Sequence, residues 1–215
     1  YETATSLKRR GEQADPVERM LRDCRINCIF EGSSEIMRLF IAREMLDPHL
    51  REGGAVLDTR REKSERIKAG AHAAWHYTKW YTARCLPHAP ELPGEDRMHP
   101  RLHDALRHID QLSRILSRTV FHQMIHYGPK LEREQLLLGR LVDIGTELFA
   151  MSAACAQTQH LLVHAEPATA KRALEITEYL CERGDERINY WFTNLHPDSD
   201  RTGYKLAQFL MESES

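Results

Sequence analysis

Apolar residues recur along this chain at steps of three and four, the spacing that gathers them on one face of an α-helix. One strong stripe runs through Leu102, Leu106, Ile109, Leu112, Leu116, Val120 and Met124, and Gly128-Pro129 ends it. A second runs through Leu137, Leu141, Ile144, Leu148, Met151 and Cys155, within a helix expected over about 131–164. Pro167 opens a further helix to about Tyr190, and "DSDRTGYKLAQFLMES" suits a short last one. Upstream, Asp15 as N-cap, Pro16 at the first helical position and Glu18 three residues after the cap open a helix to about Ile26. Ile36, Leu39, Phe40, Arg43 and Leu46 carry the next to about Leu50, with Ser33 or Ser34 as its cap. "REGGAVLDTRREKSER" reads as a connector. From about Thr59 to Cys85 a modest face is formed by Ile67, Ala71, Ala74, Thr78, Tyr81 and Cys85. "LPHAPELPGEDRMHP", with four prolines, is a loop. Strand patterns are almost absent, so the expected fold class is all-α, with connections short enough for antiparallel packing.

The 215 residues can bury a substantial core. Lys and Arg number 30 against 32 Asp and Glu, a net charge of −2, which argues against a dedicated nucleic-acid binder. No apolar run approaches the ~20 residues that a membrane span requires. The polar start "YETATSLKRRG" has neither an apolar signal segment nor an initiator Met, so a piece of a longer or processed chain is expected. Five scattered cysteines suit a reducing compartment. Cys24 and Cys28, four apart, are expected as small buried residues.

Between the first two long helices lies "IFEGSSEI". Glu31 stands beside Ile29, Phe30 and Ile36. A carboxylate among apolar groups loses hydration, so its pKa rises and it becomes a stronger base. Gly32 allows unusual backbone angles and close approach of a ligand. Ser33, Ser34 and the free amides at the next helix's start can donate to an anionic or polar group. These features suit proton abstraction; a surface joint between helices is the plainer reading.

The wider stretch "DPVERMLRDCRINCIFEGSSEIMRLFIAREMLD" closely resembles the C-terminal signature of flavin-dependent acyl-CoA dehydrogenases. Its elements are the E-R pair, R-D-x-R-I, an apolar-E-G-[TS] turn, and an E/Q-I-x-R helix ending in A-R-E. "KLEREQLLLGRLVDIGTELFAM" (130–151) resembles the additional C-terminal helical domain of the very-long-chain branch. The resemblance implies three parts. Residues 1–52 would end the dehydrogenase C-terminal helical domain and carry the Glu-Gly-Ser turn. Residues 53–98 would be a connector with an amphipathic helix, and 99–215 the extra helical domain.

The resemblance also implies roles. Glu31 matches the base that removes the α-proton of a fatty acyl-CoA while the β-hydride passes to FAD, giving a trans-2-enoyl-CoA in fatty acid β-oxidation. In the family the thioester carbonyl is polarised by this glutamate's own backbone N–H and a flavin hydroxyl. Gly32 matches a substrate-contacting glycine, and Ser33 and Glu35 match positions that touch the cofactor. Ser33 stands where Thr is commoner, and Glu35 where Gln is frequent. Arg22, Asp23, Arg25, Arg38 and Arg43 are read as structural. The family's β-domain would lie outside these residues, so this piece alone is expected to be inactive. Electron-transfer flavoprotein is the implied electron acceptor. A homo-oligomer, with a dimer favoured, and a bacterial cytoplasmic setting, with a mitochondrial matrix second, complete the expectation. The rival is a non-catalytic helical module for dimerisation or for docking to a membrane or partner.

Three histidine pairs, His72/His76, His99/His103 and His122/His126, have the four-residue spacing of metal ligands, but no third ligand is indicated and no metal is expected. Trp75, Tyr77, Trp80 and Tyr81 lie among Lys68, Lys79 and Arg84. Such a helix can rest on a membrane interface, although aromatics at this spacing usually pack into a core.

Overall fold

In a computed structural model the protein is described over residues 3–12, 17–30, 32–58, 60–86 and 95–213. Every regular element among them is helical: α1 (Ala4–Arg9), α2 (Val17–Arg25), α3 (Ser34–Leu57), α4 (Lys63–Cys85), α5 (Pro100–Tyr127), α6 (Gln135–His164), α7 (Pro167–Thr193) and α8 (Asp198–Ser213). A 3₁₀ turn, Ile26–Cys28, follows α2, and another, Gly128–Arg133, joins α5 to α6. The expected all-α class is therefore what the chain adopts.

The core forms where the two strong stripes predicted it. Leu102, Ile109, Leu112, Leu116 and Val120 of α5 are buried against α6, whose Leu137, Leu141, Ile144, Leu148, Met151 and Cys155 are buried in turn. Helix α6 is the hub, packed on α3, α5 and α7, and α7 adds Leu174 and Ile188. Helix α3 meets this core through Ala42, a residue small enough to bring its backbone close to α6.

Four local expectations change. Helix α3 does not stop near Leu50 but continues through Gly53 and Gly54 to Leu57. Two glycines cost about 1 kcal/mol each in a helix, yet the Arg66 guanidinium of α4 donates to the Val56 carbonyl (3.0 Å), satisfying part of the helix end. Helix α4 turns a different face inward. Ile67 is 73% exposed, and Ala71, Ala74, Thr78 and Cys85 are also exposed, while Ala73 is buried and Tyr77 and Trp80 are partly buried. The rings decide it, because one aromatic buries more surface than several alanines. The helix expected from about residue 131 begins later: Leu131 is buried in the 3₁₀ turn, and α6 itself starts at Gln135. Cys24 and Cys28 are exposed instead of buried, and α2 buries none of its residues among the described ones. Helix α1, capped by Thr3, was not foreseen. The expected cap at Asp15 and Pro16 lies outside the described residues.

Candidate functional site

The Glu-Gly-Ser turn sits where α3 begins. Ser33 is its N-cap, the hydroxyl accepting from the Ile36 amide (3.4 Å), which still leaves the O–H able to donate. Gly32 has φ +120°, a backbone region that side-chain-bearing residues rarely adopt. A Cβ there would meet Met37 Sδ at 3.0 Å. The turn is thus built around glycine. Glu31, the expected base, lies outside the described residues. Its flanks are apolar but open to solvent: Ile29 is 75% exposed and Phe30 62%, and Met20, Ile26, Ile36 and Phe40 are exposed with them. Exposed apolar side chains gathered in this way suit contact with another segment or chain.

Glu35 is exposed in the first turn of α3, where its charge complements the helix dipole. It stands at the rim of an open depression of about 360 Å³ between α3 and α6, lined also by Arg38, Leu136, Arg140, Asp143 and Trp191. The structure therefore brings Gly32 and Ser33 into one turn and sets Glu35 toward a depression that neither of them lines. Arg38 Nε donates to Asp143 Oδ1 (2.8 Å), fastening α3 to α6 in agreement with its structural reading. Arg22 pairs with Glu18 (2.9 Å) and Asp23 with Arg19 (3.5 Å) on the exposed face of α2.

On the far side of the depression Arg140 holds Asp200 through two hydrogen bonds of 2.5 and 2.6 Å and also donates to the Leu195 carbonyl. Those hydrogen bonds from Arg140 hold the Asp200 carboxyl below its ordinary range. Nothing in the local pattern signalled this pair, sixty residues apart.

A second depression, about 480 Å³, is lined by Asp47, His49, Glu52, His76, Trp80 and Arg84. His49 is set among Tyr77, Trp80 and Phe121, and burial lowers its pKa. Arg84 lies over the Trp80 ring at 4.0 Å. Of the aromatics on α4, Tyr77 and Trp80 thus belong to packing, whereas Trp75 is exposed with Lys79 above it at 4.5 Å.

The histidine pairs are engaged separately. His99 caps α5, His122 shares a hydrogen bond with the Tyr81 hydroxyl (2.9 Å), and His72 faces Glu52. Among the described residues no three metal-ligating side chains cluster, and no helix is long and apolar enough to cross a membrane.

Comparison with known proteins gives two family matches. Residues 100–212 match the family "ACAD9/ACADV, C-terminal domain", and residues 7–46 match "Acyl-CoA dehydrogenase, C-terminal domain". The chain is 41% identical over 212 residues to "Probable acyl-CoA dehydrogenase FadE10" of Mycobacterium tuberculosis, and equally to that of Mycobacterium bovis. The match takes in 99% of this chain and 32% of either relative, so the chain spans about a third of their length. Among solved structures, an acyl-CoA dehydrogenase complexed with FAD from Bacillus anthracis superposes with a TM-score of 0.52 at 20% identity, over 89% of this chain and 30% of that one. That likeness concerns the fold.

Proposed function

The chain belongs to the acyl-CoA dehydrogenase family, with a C-terminal domain of the ACAD9/ACADV type, and we propose that it supplies the base-bearing turn of a dehydrogenase that oxidises fatty acyl-CoA to trans-2-enoyl-CoA. The observation that carries this reading is the turn before α3: a glycine at φ +120° and a serine cap directly after Glu31, with an uncovered apolar surface around them. Covering that surface would remove water from Glu31, raising its basicity in the way α-proton abstraction requires. Gly32, lacking a side chain, lets the thioester end of the substrate come against the backbone. A backbone N–H aimed at the thioester oxygen would stabilise the developing enolate.

The residues fit one edge of an FAD site. The Ser33 O–H can donate, the Ser34 and Glu35 amides at the start of α3 have no acceptor within the helix, and Phe30, Ile36 and Phe40 offer apolar surface. When bound, FAD supplies the acceptor for the β-hydride. Ser33 and Glu35 would contact it, each from a different side of the α3 start. The remaining surface of the site belongs to parts of the enzyme beyond these residues. Electron-transfer flavoprotein is the proposed electron acceptor, a homodimer the proposed assembly, and the bacterial cytoplasm the proposed setting, in keeping with the bacterial relatives. Trp75 and Lys79 on the open face of α4 would be the point of any peripheral membrane contact.

The test is Glu31→Gln in the full-length enzyme. Turnover of a fatty acyl-CoA should fall at least about a hundredfold, with flavin absorbance retained. Turnover near that of the parent would remove Glu31 from the chemistry and favour a helical docking module.

A further inference from the structure

Helices α6 and α7 meet along a ladder of facing residues. Glu147 pairs with Arg187 (2.8 and 2.7 Å), Met151 packs on Gly184, Cys155 Sγ lies 4.0 Å from Cys181 Sγ, and the Thr158 and Thr177 hydroxyls share a hydrogen bond of 2.7 Å. Gly184 shows how close the helices are: a Cβ there would sit 2.6 Å from Met151 Sδ. We propose that Cys155 and Cys181 are a reversible redox site, in which a hydroperoxide oxidises Cys181 and Cys155 resolves it to a disulfide joining α6 to α7. The proposal is independent of the dehydrogenase reading.

The two sulfurs are unequally placed. Cys155 is 1% exposed, beneath the helix interface. Cys181 lines a surface depression of about 300 Å³ with Arg101, Ala105, Thr177 and Glu178. Arg101 holds the Glu178 carboxylate (2.9 and 3.0 Å), while Glu182, also at the mouth, leaves it with an excess of negative charge that disfavours anions and admits a small neutral oxidant. The hydrogen bond between the sulfurs, with burial, holds the Cys155 thiol above its usual range, and the same bond lowers Cys181. Cys181, on the depression, is thus the sulfur that an oxidant reaches first, and the buried Cys155 is placed to resolve it.

In the first step the Cys181 thiolate attacks the distal peroxide oxygen. The O–O bond breaks, sulfur loses two electrons to become a sulfenic acid, and the alkoxide (hydroxide, from hydrogen peroxide) leaves and takes a proton from solvent. In the second, Cys155 sulfur attacks the sulfenic sulfur; the S–O bond breaks, hydroxide takes the Cys155 proton and leaves as water. Reaching the ~2.05 Å of a disulfide from 4.0 Å requires about 2 Å of approach, within reach of side-chain rotation on helices this close. A thiol such as dithiothreitol reverses it by exchange.

The experiment uses the full-length protein, reduced, exposed to hydrogen peroxide and then alkylated with N-ethylmaleimide. Expected are a mass lower by about 2 Da before alkylation, a cross-link between the tryptic peptides 141–171 and 173–183, and its loss with dithiothreitol. In Cys155→Ser, dimedone should label Cys181; in Cys181→Ser it should leave Cys155 unlabelled. Full alkylation of both thiols in peroxide-treated, denatured wild-type protein would overturn the proposal, whatever the variants do. So would a dimedone adduct on Cys155, or a cross-link of Cys181 to any other cysteine.

Discussion

Replacing Gly32 by alanine tests the turn itself. Two penalties arise at this position. The first is steric: the new Cβ would stand 3.0 Å from Met37 Sδ and 3.4 Å from Met37 Cγ. Met37 is exposed and flexible, so its side chain swings away at little cost. The second is conformational: φ +120° is strained for any residue with a Cβ, by about 1–3 kcal/mol. The chain can keep the turn and bear that strain, or relax φ and shift the residue on either side. Since Glu31 is that neighbour, relaxation moves the proposed base, and a loss of about 1–3 kcal/mol in transition-state stabilisation corresponds to roughly 5- to 150-fold in kcat/KM. The assay is steady-state oxidation of an acyl-CoA by the full-length enzyme, with Tm measured alongside. Met37→Ala added to Gly32→Ala removes the steric contact only, so it should not restore activity. A Gly32→Ala enzyme within twofold of wild type, or full rescue by Met37→Ala, would refute the conformational reasoning.

Leu141 is 0% exposed at the centre of the core, so Leu141→Ala should destabilise by about 2–5 kcal/mol. Phe149→Ala on the same helix, at a side chain 75% exposed, should stay within about 0.5 kcal/mol; denaturant titration distinguishes them. Thr158→Val alone strands the buried Thr177 hydroxyl and should cost about 1–3 kcal/mol, whereas Thr158→Val with Thr177→Val should be nearly neutral; an additive double variant would contradict the pairing. Asp200 ties α8 to Arg140 and its folded pKa is lowered, so its stabilising contribution is present above the unfolded carboxylate pKa and is lost as pH falls through the folded value. Asp200→Asn should therefore flatten stability against pH below about 4. It should also speed tryptic cleavage at Arg201 and Lys205 by about tenfold, from a loss near 1.5 kcal/mol; unchanged cleavage would mean that α8 is held by something else.

The pattern of apolar positions read well wherever a helix buries one aliphatic stripe. The stripes of α5 and α6 are the core because each Leu, Ile or Val on them has a partner on the facing helix. Reading failed where long-range contacts set the outcome. Helix α4 turns its rings inward because His49 and Phe121, distant in the chain, offer them a better partner than the alanine face has. Helix α3 runs past its apolar stripe because a group that satisfies its end, Arg66, arrives from the next helix. Arg38–Asp143 and Cys155–Cys181 span 105 and 26 residues, and no spacing rule connects such positions. At the candidate site the glycine and the serine cap are legible from local chemistry, whereas the role proposed for Glu31 rests on the motif as a whole.

Helix α3 serves two sides at once, and this links the bundle to the proposed chemistry. Its Ala42 and Arg38 hold it to α6, while Ile36 and Phe40 point into solvent beside the Gly32 turn. A helix moves as a rigid rod over two turns, so the position of its N-terminus is set by contacts one or two turns along. Arg38 lies five positions past Ser33, and its bond to Asp143 is partly buried, where a charged hydrogen bond contributes more than at an open surface. The α5–α7 core therefore fixes where the turn sits without touching it. In such an arrangement the extra helical domain acts as a footing for α3. Asp143, on the opposite side of the contact, belongs to that footing and also lines the depression that Glu35 borders.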